Sequence, residues 1–456
     1  MSLYEKSLYR RSPVWLQETM LSVRAGVRRR LREGASFRRE LIDVEASGAL
    51  DAPSLAQLQL QRVQRVMRHA IAHVPFYRER AALAGVDADR FPASLDELQR
   101  WPMLTKRDVF DAGAGLLSKV ARGPRFSAST SGTTGMSMTG WRDLHAINRE
   151  NAFVWRYLGW AGLRPGDARV WMRGDQIVPA DQQVAPFWRH SRADNMLMMS
   201  SYHLSEASAG AYLDAMERFD PVVIQSYPSA VLLLARHLVE TGRRYQGTRL
   251  RGVVTSSETV TPEHRRVVRA AFGCTVFDWY GSMERVTAIG NCEHGTYHVM
   301  PDYSYTEFLP VEDGMHEVVG TGFDNVLMPF IRYRLGDTVR LAEPAYRCRC
   351  GRPYPAVAEI VGRVEDYLLS PSGRKVILAS NILDYLSNIL EGQIRQDEAG
   401  EVRILLVPAP GHGIDEAEVM SRARALLGPE MKVHVEQVQA IPRTANGKLR
   451  VVLRNI

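Results

Sequence analysis

The chain has 456 residues, more than one hydrophobic core usually serves, so a large domain and a smaller one are expected. Hydrophobic residues at 45% and charged residues at 24% match globular proteins with a sizeable core and exclude a disordered chain. The formal net charge of +7 is modest for this length, four cysteines are too sparse for a disulfide framework, and no apolar run reaches the roughly 20 residues of a membrane span.

The polar start MSLYEKSLYRRSP lacks the apolar core of a secretory signal, so a cytoplasmic location is the expectation. Residues from about 14 to 83 read as helices, with Leu60, Val63, Val66, Met67, Ile71 and Val74 at helical spacing and Pro75 closing the region. Arg24, Arg28, Arg29, Arg30, Arg32, Arg38 and Arg39 crowd this start. A solvated helix face is the favoured reading, with contact to nucleic acid or an anionic membrane as the alternative, and no nucleic-acid partner is expected. Short helices broken at Pro102 follow, completing a helical start over residues 1–120, and ARGPRFSASTSGTTGMSMTG then reads as a specialised loop.

From 146 onward helix and strand alternate. Helices are expected at 146–160, 206–218, 229–241 and 262–272, and strands at ARVWM, PVVIQSY, LRGVVTSS and CTVFDWYG. Such alternation predicts an α/β fold with a largely parallel sheet covered by helices. Strands dominate from 297 to 343, including HEVVGTGF and PFIRYRLGD, and a shorter αβ pattern runs from 376. The domain boundary is placed near Gly362, giving a large domain over 1–361 and a small α+β domain over 362–456.

Five motifs stand in order along this frame. Glycines and hydroxyls in Ser129-Thr130-Ser131-Gly132-Thr133-Thr134-Gly135 suit a polyphosphate, because backbone N–H groups can turn toward an anion while hydroxyls donate further bonds. No Gly-Lys-Ser/Thr follows, so it is not a Walker loop, and alone it would read as a flexible linker. Tyr280-Gly281-Ser282-Met283-Glu284 follows an apolar strand, at the carboxyl end where open α/β sheets bind ligands. Tyr333-Arg334-Leu335-Gly336-Asp337 sets a carboxylate after a strand and a tight glycine, placed for ribose hydroxyls or for capping a turn. Val361-Gly362-Arg363-Val364-Glu365-Asp366 marks the boundary, and Pro442-Arg443-Thr444-Ala445-Asn446-Gly447-Lys448-Leu449-Arg450 lies near the end.

This ordered set, with the early Val74-Pro75-Phe76-Tyr77-Arg78 and Pro102-Met103-Leu104-Thr105-Lys106-Arg107-Asp108, resembles the adenylate-forming superfamily of acyl-CoA synthetases. Within it the likeness is to phenylacetate-CoA ligases and their relatives from polysaccharide gene clusters, over nearly the whole chain. The resemblance implies a large adenylation domain and a small mobile C-terminal domain, and an AMP-forming ligase that works in two half-reactions. A carboxylate attacks the α-phosphate of ATP, and the acyl group then passes to an acceptor, coenzyme A or an amine.

By the same resemblance Thr130, Ser131, Gly132, Thr133, Thr134 and Gly135 hold the β- and γ-phosphates, and Ser256, Ser257 and Glu258 with Tyr280 and Gly281 frame the adenine. Glu284 binds Mg²⁺, Asp337 the ribose, and Arg363 lies beside ribose and phosphate, while Lys448 reaches the carboxylate and α-phosphate oxygens. Mg²⁺ and a lysine answer the negative charge gathered in the transition state. Two departures are visible: Glu365 and Asp366 stand where the usual hinge is a single aspartate, leaving either as pivot, and Met136 and Ser137 replace the usual neighbours of the phosphate loop.

Cys292, His298, Cys348 and Cys350 make a closed tetrahedral set for structural Zn²⁺, with His294 competing for the histidine place. Cys274, in a strand, reads as core. The acyl pocket is expected along Trp171 to Gly174, Ser226 to Pro228 and Ser256, a mixed lining that favours an aromatic or polar acid over a long fatty chain. Arg173 reads either as structural or as a partner for a second acidic group. A catalytically silent binding protein on this fold is the rival reading, opposed by the presence of Glu284, Asp337 and Lys448. Should the chain self-associate, a symmetric homodimer is the commonest form.

Overall fold

The computed structural model describes residues 7–87, 91–129, 139–179, 182–363, 368–371, 375–376, 379–383, 386, 389–408, 411–442 and 449–456. Contacts divide the chain into two compact units: one of 1–25, 161–278 and 361–456, the other of 26–160 and 279–360.

In the first unit, β1 (Arg169–Met172), β2 (Trp188–Ser191), β3 (Met196–Met199), β4 (Val223–Ser226) and β5 (Gly252–Ser256) are joined by β6 (Thr275–Gly281), which leaves the unit after Asp278. The strand order is β6-β5-β4-β1-β3-β2. Strands β3, β1, β4 and β5 run parallel, and β2 closes the edge antiparallel to β3. Strands β3, β4 and β5 are buried on both faces, as in a sheet covered on both sides: every residue of them is buried. Helices Glu206–Phe219, Pro228–Glu240 and Pro262–Phe272 follow the expected alternation. The last of these starts where Thr261 accepts from the backbone N–H of His264 in a capping box with proline in the first turn. Val170, Ile224, Val253, Leu213, Leu234 and Val268 form the core between sheet and helices. The hairpin β2–β3 escapes the alternation reading because its two short strands sit inside one irregular stretch.

The second unit carries β7 (Ala288–Asn291), β8 (Tyr297–Val299), β9 (Ser304–Pro310), β10 (His316–Gly322), β11 (Tyr333–Leu341) and most of β12 (Ala356–Arg363), in the order β9-β10-β11-β12-β8-β7. Residues Trp279 to Gly281 of β6 pair antiparallel with β7. Its helices are Ala35–Gly48, Ala52–His73, Pro75–Ala84, Lys106–Ala112 and Leu144–Trp160, with part of Val14–Arg32. Pro75 does not only end a helix: it stands in the first turn of Pro75–Ala84, where a missing N–H costs nothing. The strand expected over PFIRYRLGD begins only at Tyr333. Arg332 before it adopts a left-handed φ of 50° and turns its guanidinium onto Glu307, a buried pair at 2.8 Å.

The C-terminal part of the first unit is a four-stranded sheet of β13 (Ile389–Glu398), β14 (Glu401–Pro408), β15 (Lys432–Gln437) and β16 (Val452–Arg454), in the order β15-β14-β13-β16. Helix Glu416–Leu427 covers it through Val419, Ala423 and Leu427, which meet Ile394, Val402, Ile404 and Leu406 in a core of their own. No helix among the described residues is long and apolar enough to cross a membrane.

Candidate functional site

In the first unit the parallel strands end together. Met172, Ser226 and Thr255 are aligned across β1, β4 and β5, so Arg173, Tyr227 and Ser256 are the next residues at the carboxyl edge. Ser256 is buried and Ser257 exposed, with Ser257 in a left-handed conformation at φ 75°. Such a backbone costs on the order of 1–3 kcal/mol for a residue with a Cβ and collects at functional turns. Arg173 donates from Nη2 to Ser256 Oγ and, over 2.8 Å, to Ser257 Oγ. Glu258 binds two distant pieces of chain: Oε2 accepts from the backbone N–H of Ser229 at 3.0 Å, and Oε1 accepts from the backbone N–H of Leu449 at 3.1 Å. Lys448, next to Leu449, lies outside the described residues.

In the second unit the expected phosphate loop is flanked by two short strands, Phe126–Ser129 and Thr139–Arg142, paired antiparallel from Phe126↔Arg142 to Ser129↔Thr139. The loop reading of this segment thus gives way to a hairpin at both of its ends. Thr130, Ser131, Gly132, Thr133, Thr134 and Gly135, with Met136 and Ser137, lie outside the described residues. The hairpin is tied to the turn after β6. Arg142 donates to the carbonyl of Met283, and a Cβ at Gly140 would stand 2.9 Å from Met283 Sδ, so glycine permits the approach. Burial and the nearby Arg285 push the Arg142 guanidinium down to about 10.

That turn carries Glu284, whose Oε1 accepts from Tyr333 Oη at 3.1 Å. Asp337 accepts on Oδ2 from Tyr280 Oη at 2.5 Å and is buried. Its position comes from a bulge. Val319 pairs with Arg334 and Glu317 with Thr338, so Leu335, Gly336 and Asp337 of β11 face a single residue of β10. Gly336, at φ 74°, makes that turn without the penalty a side chain would meet. Tyr280 and Asp337 therefore form one hydrogen-bonded pair, and Tyr333 and Glu284 a second. Arg142 and Tyr333 were not singled out in the sequence; Tyr333 opens a motif that was, but nothing in a linear pattern says that its hydroxyl returns to Glu284.

The second unit also gathers Cys292, His298, Cys348 and Cys350, whose ligand atoms all lie within 4.8 Å of one another. Cys292 Sγ is 3.6 Å from Cys348 Sγ, and Cys350 Sγ is 3.3 Å from His298 Nε2. Tetrahedral zinc with bonds of about 2.3 Å to sulfur and 2.0–2.1 Å to nitrogen would separate its ligands by roughly 3.5–3.8 Å. His298 Nδ1 lies 3.3 Å from the carbonyl of Tyr354, which fixes the ring with Nε2 toward the thiols, the outer-shell bond usual for a metal-bound histidine. The donor set fits zinc and, with four protein ligands, leaves no open position for chemistry. Burial pushes the Cys292 thiol up to about 12. At Cys348 burial acts the same way, but the Cys350 backbone N–H and hydrogen bonds to Thr296 and His298 outweigh it and bring the thiol down to about 6. Cys274 is buried in the core of the first unit.

Arg363 ends β12, and its side chain, with Glu365 and Asp366, lies outside what the structure describes.

Comparison with known proteins adds the family. Residues 368–455 match the CapK C-terminal domain. Over 456 aligned residues the chain is 24% identical to Protein CapK of Staphylococcus aureus, covering 98% of this chain and 99% of that protein. A phenylacetate-coenzyme A ligase of Aromatoleum evansii is 26% identical over 446 residues, 90% of this chain and 97% of that one. The fold is similar to that of a 2-hydroxyisobutyryl-CoA ligase solved in a postadenylation state, with a TM-score of 0.69 at 20% identity over 90% of this chain and 91% of that one. The chain is thus similar, over 69–98% of its length, to Protein CapK and to phenylacetate-coenzyme A ligases, and it shares the fold of an adenylate-forming ligase.

Proposed function

We propose that the protein activates a carboxylic acid, aromatic or polar, by joining it to AMP, and then transfers the acyl group to coenzyme A. In the first step a carboxylate oxygen forms a bond to the α-phosphorus of ATP as the bond to the β-phosphate bridge breaks, releasing pyrophosphate. In the second the thiol sulfur adds to the acyl carbon, AMP leaves, and the thiol proton goes to solvent. Thr130 to Gly135 hold the β- and γ-phosphates, and Ser256, Ser257 and Glu258 with Tyr280 and Gly281 frame the adenine. Asp337 takes the ribose hydroxyls, Arg363 lies beside ribose and phosphate, and Lys448 bridges carboxylate and α-phosphate oxygens. Glu284 offers a carboxylate to Mg²⁺, whose charge offsets that of the phosphates when bound. Residues 1–361 act as the adenylation domain and 362–456 as the small domain that turns between half-reactions, with Glu365 or Asp366 as pivot. The four-ligand cluster holds zinc as a structural clamp. The setting is the cytoplasm, where ATP and coenzyme A are at hand.

The observation that carries this reading is the bond from Leu449 to Glu258, because it brings the neighbour of Lys448 to the carboxyl edge of the parallel strands. The test is ATP–pyrophosphate exchange across a panel of acids with Mg²⁺, repeated with Lys448→Ala. Exchange that falls by about a hundredfold or more in the variant supports the roles; exchange unaltered by it removes them, and silence with every acid favours a binding protein on this fold.

An amine acceptor, giving an amide on a sugar or amino acid, is the second reading. It is favoured by the match of residues 368–455 to the CapK C-terminal domain. Mass analysis of products formed with coenzyme A or with amines separates the two.

A further inference from the structure

Arg173 stands at the carboxyl edge of the sheet on a fixed backbone: its carbonyl accepts from Ser201 Oγ at 3.0 Å, and the next carbonyl, of Gly174, accepts from Tyr202 Oη at 3.0 Å. The guanidinium carbon lies 5.1 Å from the centre of the Trp171 ring and 5.5 Å from that of Tyr227. Its hydrogen bonds within the described residues all leave from Nη2, to the hydroxyls of Ser256 and Ser257.

Among the described residues no carboxylate reaches ion-pair distance of this arginine, and the acids whose charge it feels are engaged elsewhere. Asp175 accepts from Trp171 Nε1 at 2.6 Å, Asp278 from Thr255 Oγ1 at 2.8 Å, and Glu258 from Ser229 and Leu449. The chain treats its buried arginines differently. Arg156 pairs with Asp302 at 2.6 Å and Arg332 with Glu307 at 2.8 Å. Arg189, buried without an acid, is satisfied instead by Gln17, Gln182 and the carbonyls of Pro186 and Trp188. Arg173 has neither arrangement. A guanidinium offers five donors in a rigid fork that suits carboxylates, and here Nε and Nη1 are uncommitted within the described residues. Burial lowers its pKa, the mark of a cation that has lost water without gaining a counter-charge.

We infer that Arg173 is the subsite for a second anionic group of the acyl substrate, so that the acid activated is a dicarboxylate or carries another acidic substituent. This rests on the adenylation reading above and goes beyond it by naming the substrate class. Trp171 and Tyr227 flank the guanidinium and leave its fork as the polar feature that selects such an acid.

Pyrophosphate exchange with length-matched pairs tests it: butyrate with succinate, valerate with glutarate, 3-methylbenzoate with isophthalate. The diacid of at least one pair is expected to have a kcat/KM at least about tenfold above its partner. Arg173→Met is expected to lower that value for the diacid roughly tenfold to a hundredfold more than for the monoacid, and Arg173→Lys to fall between. Monoacids preferred in every pair, or equal losses for both members, would overturn the inference and leave adenylation standing. Silence with every acid removes the adenylation reading, and the inference with it.

Discussion

The backbone N–H of Leu449 donates to Glu258 Oε1 over 3.1 Å, joining the end of the chain to the turn that follows β5. Because Glu258 Oε2 also accepts from Ser229 at the start of helix Pro228–Glu240, one carboxylate fixes three pieces of chain. A hydrogen bond to a charged acceptor contributes roughly 1.5–3 kcal/mol, so Glu258→Ala is expected to slow adenylation about tenfold to a hundredfold. The variant should keep its thermal midpoint within a few degrees. Single-turnover formation of acyl-AMP measures the first; a variant as fast as the parent would show that Leu449 has no part in placing Lys448.

Gly336 has open space where a Cβ would go, so its substitution meets backbone strain alone. Gly336→Ala at φ 74° is expected to cost on the order of 1 kcal/mol and to relax the bulge that aims Asp337. The KM for ATP should rise several-fold in Gly336→Ala and further in Asp337→Ala. Nucleotide titration of both variants decides it, and an unchanged KM in both would remove Asp337 from ribose binding.

The thiol and imidazole cluster predicts close to one zinc per chain by elemental analysis, falling steeply in Cys348→Ser and Cys350→Ser. Removal of a structural zinc with a strong chelator should lower the midpoint of thermal unfolding, and added zinc should restore it. Protein purified without metal and indifferent to the chelator would identify the four residues as plain thiols and an imidazole.

Asp302 is fully buried and accepts from Arg156 at 2.6 and 3.0 Å and from Ser47 Oγ at 2.5 Å. Burial pushes its carboxyl up, but the charge and hydrogen bonds of Arg156 and the Ser47 hydroxyl outweigh this and hold it below the ordinary range. Asp302→Ala leaves Arg156 buried without its counter-charge and is expected to destabilise by about 3–5 kcal/mol. Chemical denaturation followed by tryptophan fluorescence reads the loss, and a change under about 1 kcal/mol would count against the pair as a stabilising element.

His264 is held down to about 4 by burial and by the nearby charge of Arg236. An unfolded chain binds this proton near pH 6.5, so the native state, which refuses it until about pH 4, loses stability as pH falls between the two values. Above pH 6.5 the contribution is complete. His264→Gln should therefore reduce the stability difference between pH 7 and pH 4.5 by about 2–3 kcal/mol. Denaturation midpoints at the two pH values measure this, and equal pH dependence in parent and variant would show that His264 does not carry it.

Periodicity and punctuation made much of the fold legible. Helix Pro262–Phe272 coincides with its expected span because Thr261, proline and an amphipathic run all act locally. The parallel strands β1, β4 and β5 could be read because apolar runs alternated with helices. The hairpin around the phosphate loop could not, since its strands FSAS and TGWR carry no apolar run and are held by Met283, far along the chain. The offset of β11 has a similar origin in the long-range pair of Arg332 with Glu307.

The sequence by itself determined the order of motifs and the residue types that polyphosphate, ribose and zinc chemistry require, because those are local properties of composition and spacing. Only the tertiary structure decided which of them share hydrogen bonds: Tyr333 with Glu284, Tyr280 with Asp337, Leu449 with Glu258, and His298 with Cys350. It also left Arg173 without an acid among the described residues, a fact about neighbours in space. A linear chain specifies which charges exist, and folding alone fixes which remain uncompensated at a strand's end.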